Sequence, residues 1–188
     1  MIVKQTIITY VKDEPGVLNR IASHFYRLNY NIESIAAGRS EVRGITRLTI
    51  VCNHTDDYNQ SLIKNHLEDL DTVLDVIDIS NVPSVLREHA LVKLKPGKKG
   101  MSLLNDLVSE KGAKIIDNDN SICIVEATGE VEEVENLIKK LKQFEILEIM
   151  RSGKVAMVKV DQDEHRVEIE EMKRQKGWTT QQISDALY

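Results

Sequence analysis

The chain has few cysteines, few aromatic residues and no long hydrophobic run, and each shortage excludes a class of protein. Only Cys52 and Cys123 are present. Each lies inside an apolar run that reads as a strand, so buried reduced thiols are favoured over a disulfide framework or a metal site. No stretch of about 18 apolar residues occurs, and residues 1–5 lack the hydrophobic region of a signal peptide. We therefore expect a protein of the reducing cytoplasm that neither spans a membrane nor is exported.

The sequence also lacks an excess of positive charge. Its 25 Lys and Arg residues are outnumbered by 30 Asp and Glu residues, which gives a net charge of −5. The cations are scattered along the chain rather than gathered into a stripe. Nucleic acid is therefore not an expected partner.

Motifs for catalysis and metal binding are missing as well. The five histidines show no paired spacing such as H-E-x-x-H, and no Walker A loop, G-x-G-x-x-G turn or nucleophile elbow occurs. Gly97-Lys98-Lys99-Gly100 precedes a predicted helix and can in principle hold phosphate, although such a loop is more often a solvated turn. We expect no catalytic residue, no metal ion and no cofactor in this chain.

Hydrophobic periodicity divides the chain into two similar halves with a period of about 80 to 90 residues. Each half predicts the order βαββαβ, in which an antiparallel sheet carries both helices on one face. The predicted fold is α+β, with consecutive ferredoxin-like domains at 1–80 and 87–160, a linker at 81–86 and a charged helical tail at 161–188. The other face of each small sheet needs a cover. We therefore expect two copies to associate by sheet stacking or edge addition.

The predicted strands lie at 2–11, 31–38, 45–52 and 73–80 in the first half, and at 89–95, 113–116, 122–127, 145–151 and 155–160 in the second. Helices between them carry apolar residues at 3.6-residue spacing, and Asn29 reads as the left-handed end of the first helix. The tail either packs on a partner as a helical extension or is a partly ordered appendage.

One segment, Asp13-Glu14-Pro15-Gly16-Val17-Leu18, predicts a site for a small anion. Pro15 suits the first turn of a helix, where its missing N–H costs nothing, and Gly16 leaves the first N–H groups open to a ligand. Those groups lack partners inside the helix and lie at the positive end of its dipole, so a carboxylate can dock there. From the residues alone, the alternative is an ordinary capped helix start.

This segment and Tyr30-Asn31-Ile32-Glu33-Ser34 resemble the effector loop and second strand of the ACT domain in the small, regulatory subunit of acetolactate synthase (acetohydroxyacid synthase). Three later segments resemble that family's third strand, the start of its second domain and its closing segment: Arg47-Leu48-Thr49-Ile50-Val51, Arg87-Glu88-His89-Ala90-Leu91-Val92-Lys93 and Arg151-Ser152-Gly153-Lys154-Val155-Ala156. The motifs follow the family's order over residues 1–160, so the set is more specific than any one of them.

The resemblance implies a regulatory subunit without its own active site. It implies association with a separate large catalytic subunit that carries thiamine diphosphate, Mg²⁺ and FAD, and activation of that subunit. It also implies feedback inhibition by a branched-chain amino acid, with valine as the first candidate, and a homodimer through the ACT domain. The alternative from another class is a stand-alone ACT-domain sensor that controls transcription or another enzyme. The family-like second half argues against that alternative.

The same resemblance implies an effector site formed by Asp13, Pro15, Gly16, Val17, Leu18, Asn31 and Ile32. The N–H groups around Gly16 would take the effector carboxylate, and Asp13 or the Asn31 carboxamide would meet its ammonium group. Val17, Leu18 and Ile32 would line the pocket for its aliphatic side chain. In the family arrangement, the Gly16 loop of one chain faces the Asn31 strand of the other. Asp13 stands where some relatives have Asn, which leaves the ammonium contact and the effector's identity open.

Overall fold

The computed structural model describes residues 3–54, 60–97, 100–110, 112–119 and 121–160. Its elements are β1 (Val3–Lys12), α1 (Val17–Arg27), β2 (Asn31–Arg39), β3 (Ile45–His54), α2 (Gln60–Glu68), β4 (Val73–Asp78), β5 (Ser84–Lys95), α3 (Gly100–Glu110), β6 (Lys114–Asn118), β7 (Cys123–Gly129), α4 (Val131–Leu141) and β8 (Glu145–Val158). The order βαββαβ occurs twice, which confirms the predicted α+β, ferredoxin-like fold. The predicted tail lies outside the described residues.

The described residues form two compact units, one containing residues 3–85 and 156–160 and the other containing Leu86–Val155. The first unit holds a sheet of order β2-β3-β1-β4, and the second holds a sheet of order β6-β7-β5-β8. The two orders are equivalent, because the first and third strands of each half are central and the second and fourth are edges. No helix within the described ranges is long and apolar enough to cross a membrane.

In the first unit, both helices cover one face of the sheet. α1 buries Val17, Ile21 and Phe25 on successive turns, as its 3.6-residue spacing predicts. The core that they join also contains Ile7, Val11, Leu48, Ile50, Cys52, Ile63, Leu67, Val73 and Val76. α1 ends before Asn29, whose φ of 56° confirms the predicted left-handed residue.

The opposite face of this sheet is closed to solvent at its centre. Ile8 lies directly across from Thr49 in the β1–β3 register, and side chains alternate between faces along a strand. Ile8, Thr49 and Val51 are 2%, 1% and 0% exposed within a single chain. Association of two copies by sheet stacking or edge addition stays a prediction for this sheet. Its edges, β2 and β4, remain the places where edge addition can occur.

The second unit has a core of the same kind, in which β5 and β7 supply the central strands and α3 and α4 the cover. The core residues are Ala90, Val92, Leu94, Leu104, Val108, Cys123, Val125, Ala127, Val134, Leu137, Ile138, Leu141 and Phe144. Towards the start of β5, Glu88 takes a buried position on the strand. Arg151 of β8 forms a bidentate pair with it, through Nε to Oε1 at 2.8 Å and Nη2 to Oε2 at 2.6 Å.

The last strand differs from its prediction. Two strands were expected at 145–151 and 155–160, but β8 runs without a break from Glu145 to Val158. Gly153 has a φ of 73°, and this left-handed residue lies within the strand rather than ending it. β5 is also longer than expected, because it begins at Ser84, inside the predicted linker.

Candidate functional site

The turn between β1 and α1 is held in a defined shape by backbone hydrogen bonds. The Asp13 N–H donates to the Gly44 carbonyl at 2.9 Å, and the Glu14 N–H donates to the Lys12 carbonyl at 3.0 Å. Gly16 then takes a φ of 86° at the N-cap position of α1. A Cβ built on Gly16 would meet nothing within 4 Å. Glycine is therefore required by the backbone conformation and not by a lack of space.

The start of α1 has no cap. No side chain bonds to its first turn, and that turn contains no acidic residue. The N–H groups of Leu18 and Asn19 have no hydrogen-bond partner among the described residues. In α4, by contrast, the Glu130 N–H donates to the Glu133 carboxylate at 2.9 Å, in a first turn that carries two acids. α1 thus presents open donors, and no acidic side chain within its first turn offsets the positive end of its dipole.

Leu18 and Asn19, which carry these donors, line a cavity of about 620 Å³ in the first unit. It is lined by Val11, Lys12, Asp13, Glu14, Gly16, Val17, Leu18, Asn19, Ala37, Gly38, Arg39 and Thr46. Val11 and Val17 are buried, and Leu18 is half-exposed. The lining combines an apolar part with charges of both signs, which suits a small zwitterion with an aliphatic side chain.

Of the residues predicted for the site, the cavity brings together Asp13, Gly16, Val17 and Leu18, and Pro15 lies in the same turn without lining it. The ends of β2 and β3 add wall residues that the sequence reasoning missed, namely Ala37, Gly38, Arg39 and Thr46. The predicted strands at 31–38 and 45–52 imply a turn between them. The proximity of this turn to the Gly16 loop is a non-local contact, which a local sequence pattern cannot predict.

Asn31 and Ile32 lie at the opposite end of β2. Asn31 pairs with Asn53 while Arg39 pairs with Thr46 at the cavity. Six residues separate Asn31 from Ala37, and strands rise about 3.3 Å per residue, so the distance is about 20 Å. The Ile32 side chain packs on the core of its own unit, and Asn31 is exposed. Within one chain, neither residue reaches the cavity.

The region around Asn31 has a polar corner of its own. The β2–β3 register shifts between Ile32 and Ser34, which makes Glu33 the extra residue of a β-bulge. The Glu33 carboxylate lies 2.8 Å from the Lys4 ammonium and accepts a hydrogen bond from Asn53 at 3.1 Å. These three residues belong to β2, β3 and β1, so the corner extends across three adjacent strands.

The described part of the chain offers little for nucleophilic or metal chemistry. No group of three or more His, Cys, Asp and Glu side chains that could hold a metal ion occurs there. Burial, with the nearby Asp78 carboxylate, raises the pKa of the Cys52 thiol to about 12. Burial also raises the pKa of Cys123. Neither thiol supplies a thiolate near neutral pH.

Comparison with known proteins gives matches to both halves. A family model described as the small-subunit-like ACT domain of AHAS matches residues 7–75, and one described as the small subunit of acetolactate synthase matches residues 87–160. The acetolactate synthase small subunit of Bacillus subtilis is 34% identical over 156 residues, 83% of this chain and 91% of that protein. The protein of the same name from Mycolicibacterium smegmatis is 34% identical over 152 residues, 81% of this chain and 89% of its own.

A solved structure agrees with the sequence matches. The crystal structure of the acetolactate synthase small subunit from Thermotoga maritima superposes with a TM-score of 0.78 and 34% identity. The match covers 84% of this chain and 98% of that one.

Proposed function

Because the chain belongs to the acetolactate synthase small-subunit family, we propose that it regulates a separate catalytic subunit in the cytoplasm. In this proposal it raises the activity of that subunit and inhibits it when a branched-chain amino acid, valine in the first instance, binds to the first unit. The thiamine diphosphate, Mg²⁺ and FAD belong to the catalytic partner.

The observation that carries the proposal is the uncapped start of α1 at the cavity. An amino-acid carboxylate placed there would accept hydrogen bonds from the open N–H groups of Leu18 and Asn19. Burial of the isopropyl group against Val17 and Leu18 would add the apolar part of the affinity. The Asp13 carboxylate, also in the lining, is a partner for the ammonium group.

Two copies of the chain would complete the site. Asn31 lies about 20 Å along β2 from the cavity wall of its own chain, so it can contribute only from a partner. β2 is an edge strand, and antiparallel addition of a second β2 about a two-fold axis would run the Asn31 end of each strand towards the other chain's Gly38 end. Each dimer would then hold two equivalent sites. Ile32 is not used in this arrangement, because its side chain packs in its own core.

The proposal is tested by reconstitution with the cognate catalytic subunit and two variants of one position. Gly16→Asn and Gly16→Asp impose nearly the same side-chain volume and the same strain at a positive φ, which Asn and Asp tolerate best. They differ in charge. Gly16→Asp places a carboxylate where the effector carboxylate should dock, so valine inhibition should weaken by at least about tenfold relative to Gly16→Asn, or more than about 1.4 kcal/mol.

The same assay separates sensing from activation. The parent chain alone should make no acetolactate from pyruvate, and all three chains should raise the turnover of the catalytic subunit. Equal valine sensitivity of the two folded variants would rule out the Gly16 loop as the carboxylate site. Failure of the parent to raise turnover would rule out the regulatory assignment itself.

A further inference from the structure

Two histidines meet where α1 and α2 lie side by side on the sheet of the first unit. His24 is on α1 and His66 is on α2, and the two helices are in contact. Their ring centroids are 6.1 Å apart and their planes are inclined by 47°. The contact lies in the last turns of α1, at the end opposite the Gly16 loop.

The protonation state of His24 in this contact follows from its other neighbour. Arg27 Nη2 lies 2.8 Å from His24 Nε2. A guanidinium group has only donors, so Nε2 must be the acceptor, and the hydrogen bond exists only while His24 is neutral with its proton on Nδ1. Protonation would turn Nε2 into a donor and break the bond.

The charges that face His24 come from both helices. Burial, then Arg27 on its own helix, then His66 on α2 lower the pKa of His24, and Asp69 just after α2 opposes them. The unfolded chain, with a pKa of 6.5 for this group, therefore takes up the proton more readily than the folded chain. Stability from the neutral contact is complete above pH 6.5 and is lost progressively as the pH falls below that value.

We propose that the His24–His66 contact is an acid-sensitive clamp on α1, and that acid weakens effector binding by loosening it. α1 is a single helix of 11 residues whose first turn supplies the open N–H groups at the cavity. A helix that moves at its last turn also moves at its first. The second half of the inference rests on the proposed function, whereas the clamp itself does not.

The test measures valine binding to the full chain by calorimetry at about pH 7.5 and pH 5.5, on either side of the ordinary histidine pKa. Neither the carboxylate nor the ammonium group of valine titrates in this range. The parent should bind about fivefold more weakly at the lower pH, the small end of typical coupling between sites. His24→Gln keeps an acceptor for Arg27 and does not titrate, so it should lose much less affinity.

His89→Gln is the matched control. His89 also makes a polar contact, to Glu126 at 3.0 Å, but it lies in the second unit. This variant should keep the parent's loss of affinity in acid. If His24→Gln loses as much affinity as the parent, or if the parent loses none, the link between the clamp and the cavity is overturned.

Urea unfolding at the same two pH values, without effector, tests whether the clamp exists, independently of effector binding. The parent's midpoint should fall more on acidification than the midpoint of His24→Gln. His66→Gln should lie between the two, because burial and Arg27 still lower the pKa of His24 in that variant. Equal shifts in all three chains overturn the clamp. Absence of valine binding at both pH values overturns the effector site and its coupling to the clamp, while the unfolding comparison still decides whether the clamp exists.

Discussion

Removing Arg151 should destabilise the second unit far more than removing its weaker partner, Glu135. The guanidinium group bonds both oxygens of Glu88, which is 4% exposed, and donates from Nη1 to Glu135 at 2.7 Å. These bonds raise the pKa of Arg151 and lower that of Glu135. In Arg151→Met the apolar stem is kept, but Glu88 is left as an unpaired carboxylate in a buried position.

The magnitude follows from the burial of the two partners. Breaking a fully buried pair costs about 3 to 5 kcal/mol, because one charge is stranded. Arg151 is itself 36% exposed, so water reaches part of the site and the cost should be nearer about 2 to 3 kcal/mol. Glu135→Gln removes only the exposed half of the network and should cost much less than Arg151→Met.

Urea unfolding followed by circular dichroism measures these costs, and hydrogen exchange in β5 and β8 assigns them to the second unit. Arg151→Met/Glu88→Gln should recover part of the loss, since it removes the stranded charge. A loss no greater than that of Glu135→Gln would show that Glu88 is solvated in solution and would refute the reasoning.

Two further predictions concern the first unit. A mixed dimer of one Gly16→Asp chain and one Asn31→Ala chain should bind valine with near-parental affinity at about half the parental number of sites, because both substitutions fall on the same site. If calorimetry shows no binding, Gly16 and Asn31 do not form a site across two chains. Cys52 is 0% exposed and its pKa is raised to about 12. It should therefore resist a thiol reagent at mildly alkaline pH until urea unfolds the chain. Rapid labelling of the native protein would contradict its burial.

The local features of this fold could be predicted from the sequence. The stripe on α1 and the left-handed Asn29 after it depend on spacing within one helix, and both are confirmed. The break predicted between residues 151 and 155 was wrong, because the strand continues through Gly153 at a positive φ. A glycine at positive φ can instead continue a strand when the neighbouring strand still pairs with both sides.

The residues of the candidate site also fall into two groups, those that a local segment predicts and those that only the fold brings together. Asp13, Gly16, Val17 and Leu18 are contiguous with the helix start, so one segment predicted them together. The other wall comes from the ends of β2 and β3, such as Arg39. Those residues reach the loop only because the strand order places β3 beside β1. A single sequence carries no local signal for that approach.

A ligand that binds at the uncapped start of α1 would also protect this chain from proteolysis. An anion that docks there accepts hydrogen bonds from the open N–H groups at the start of the helix, and it binds the folded form alone. At a free concentration 100 times its Kd, such a ligand adds about 2.7 kcal/mol to the free energy of unfolding. Because proteases act on opened molecules, the population they can attack falls by about a hundredfold. The abundance of this subunit in the cell should therefore rise with the concentration of the proposed effector.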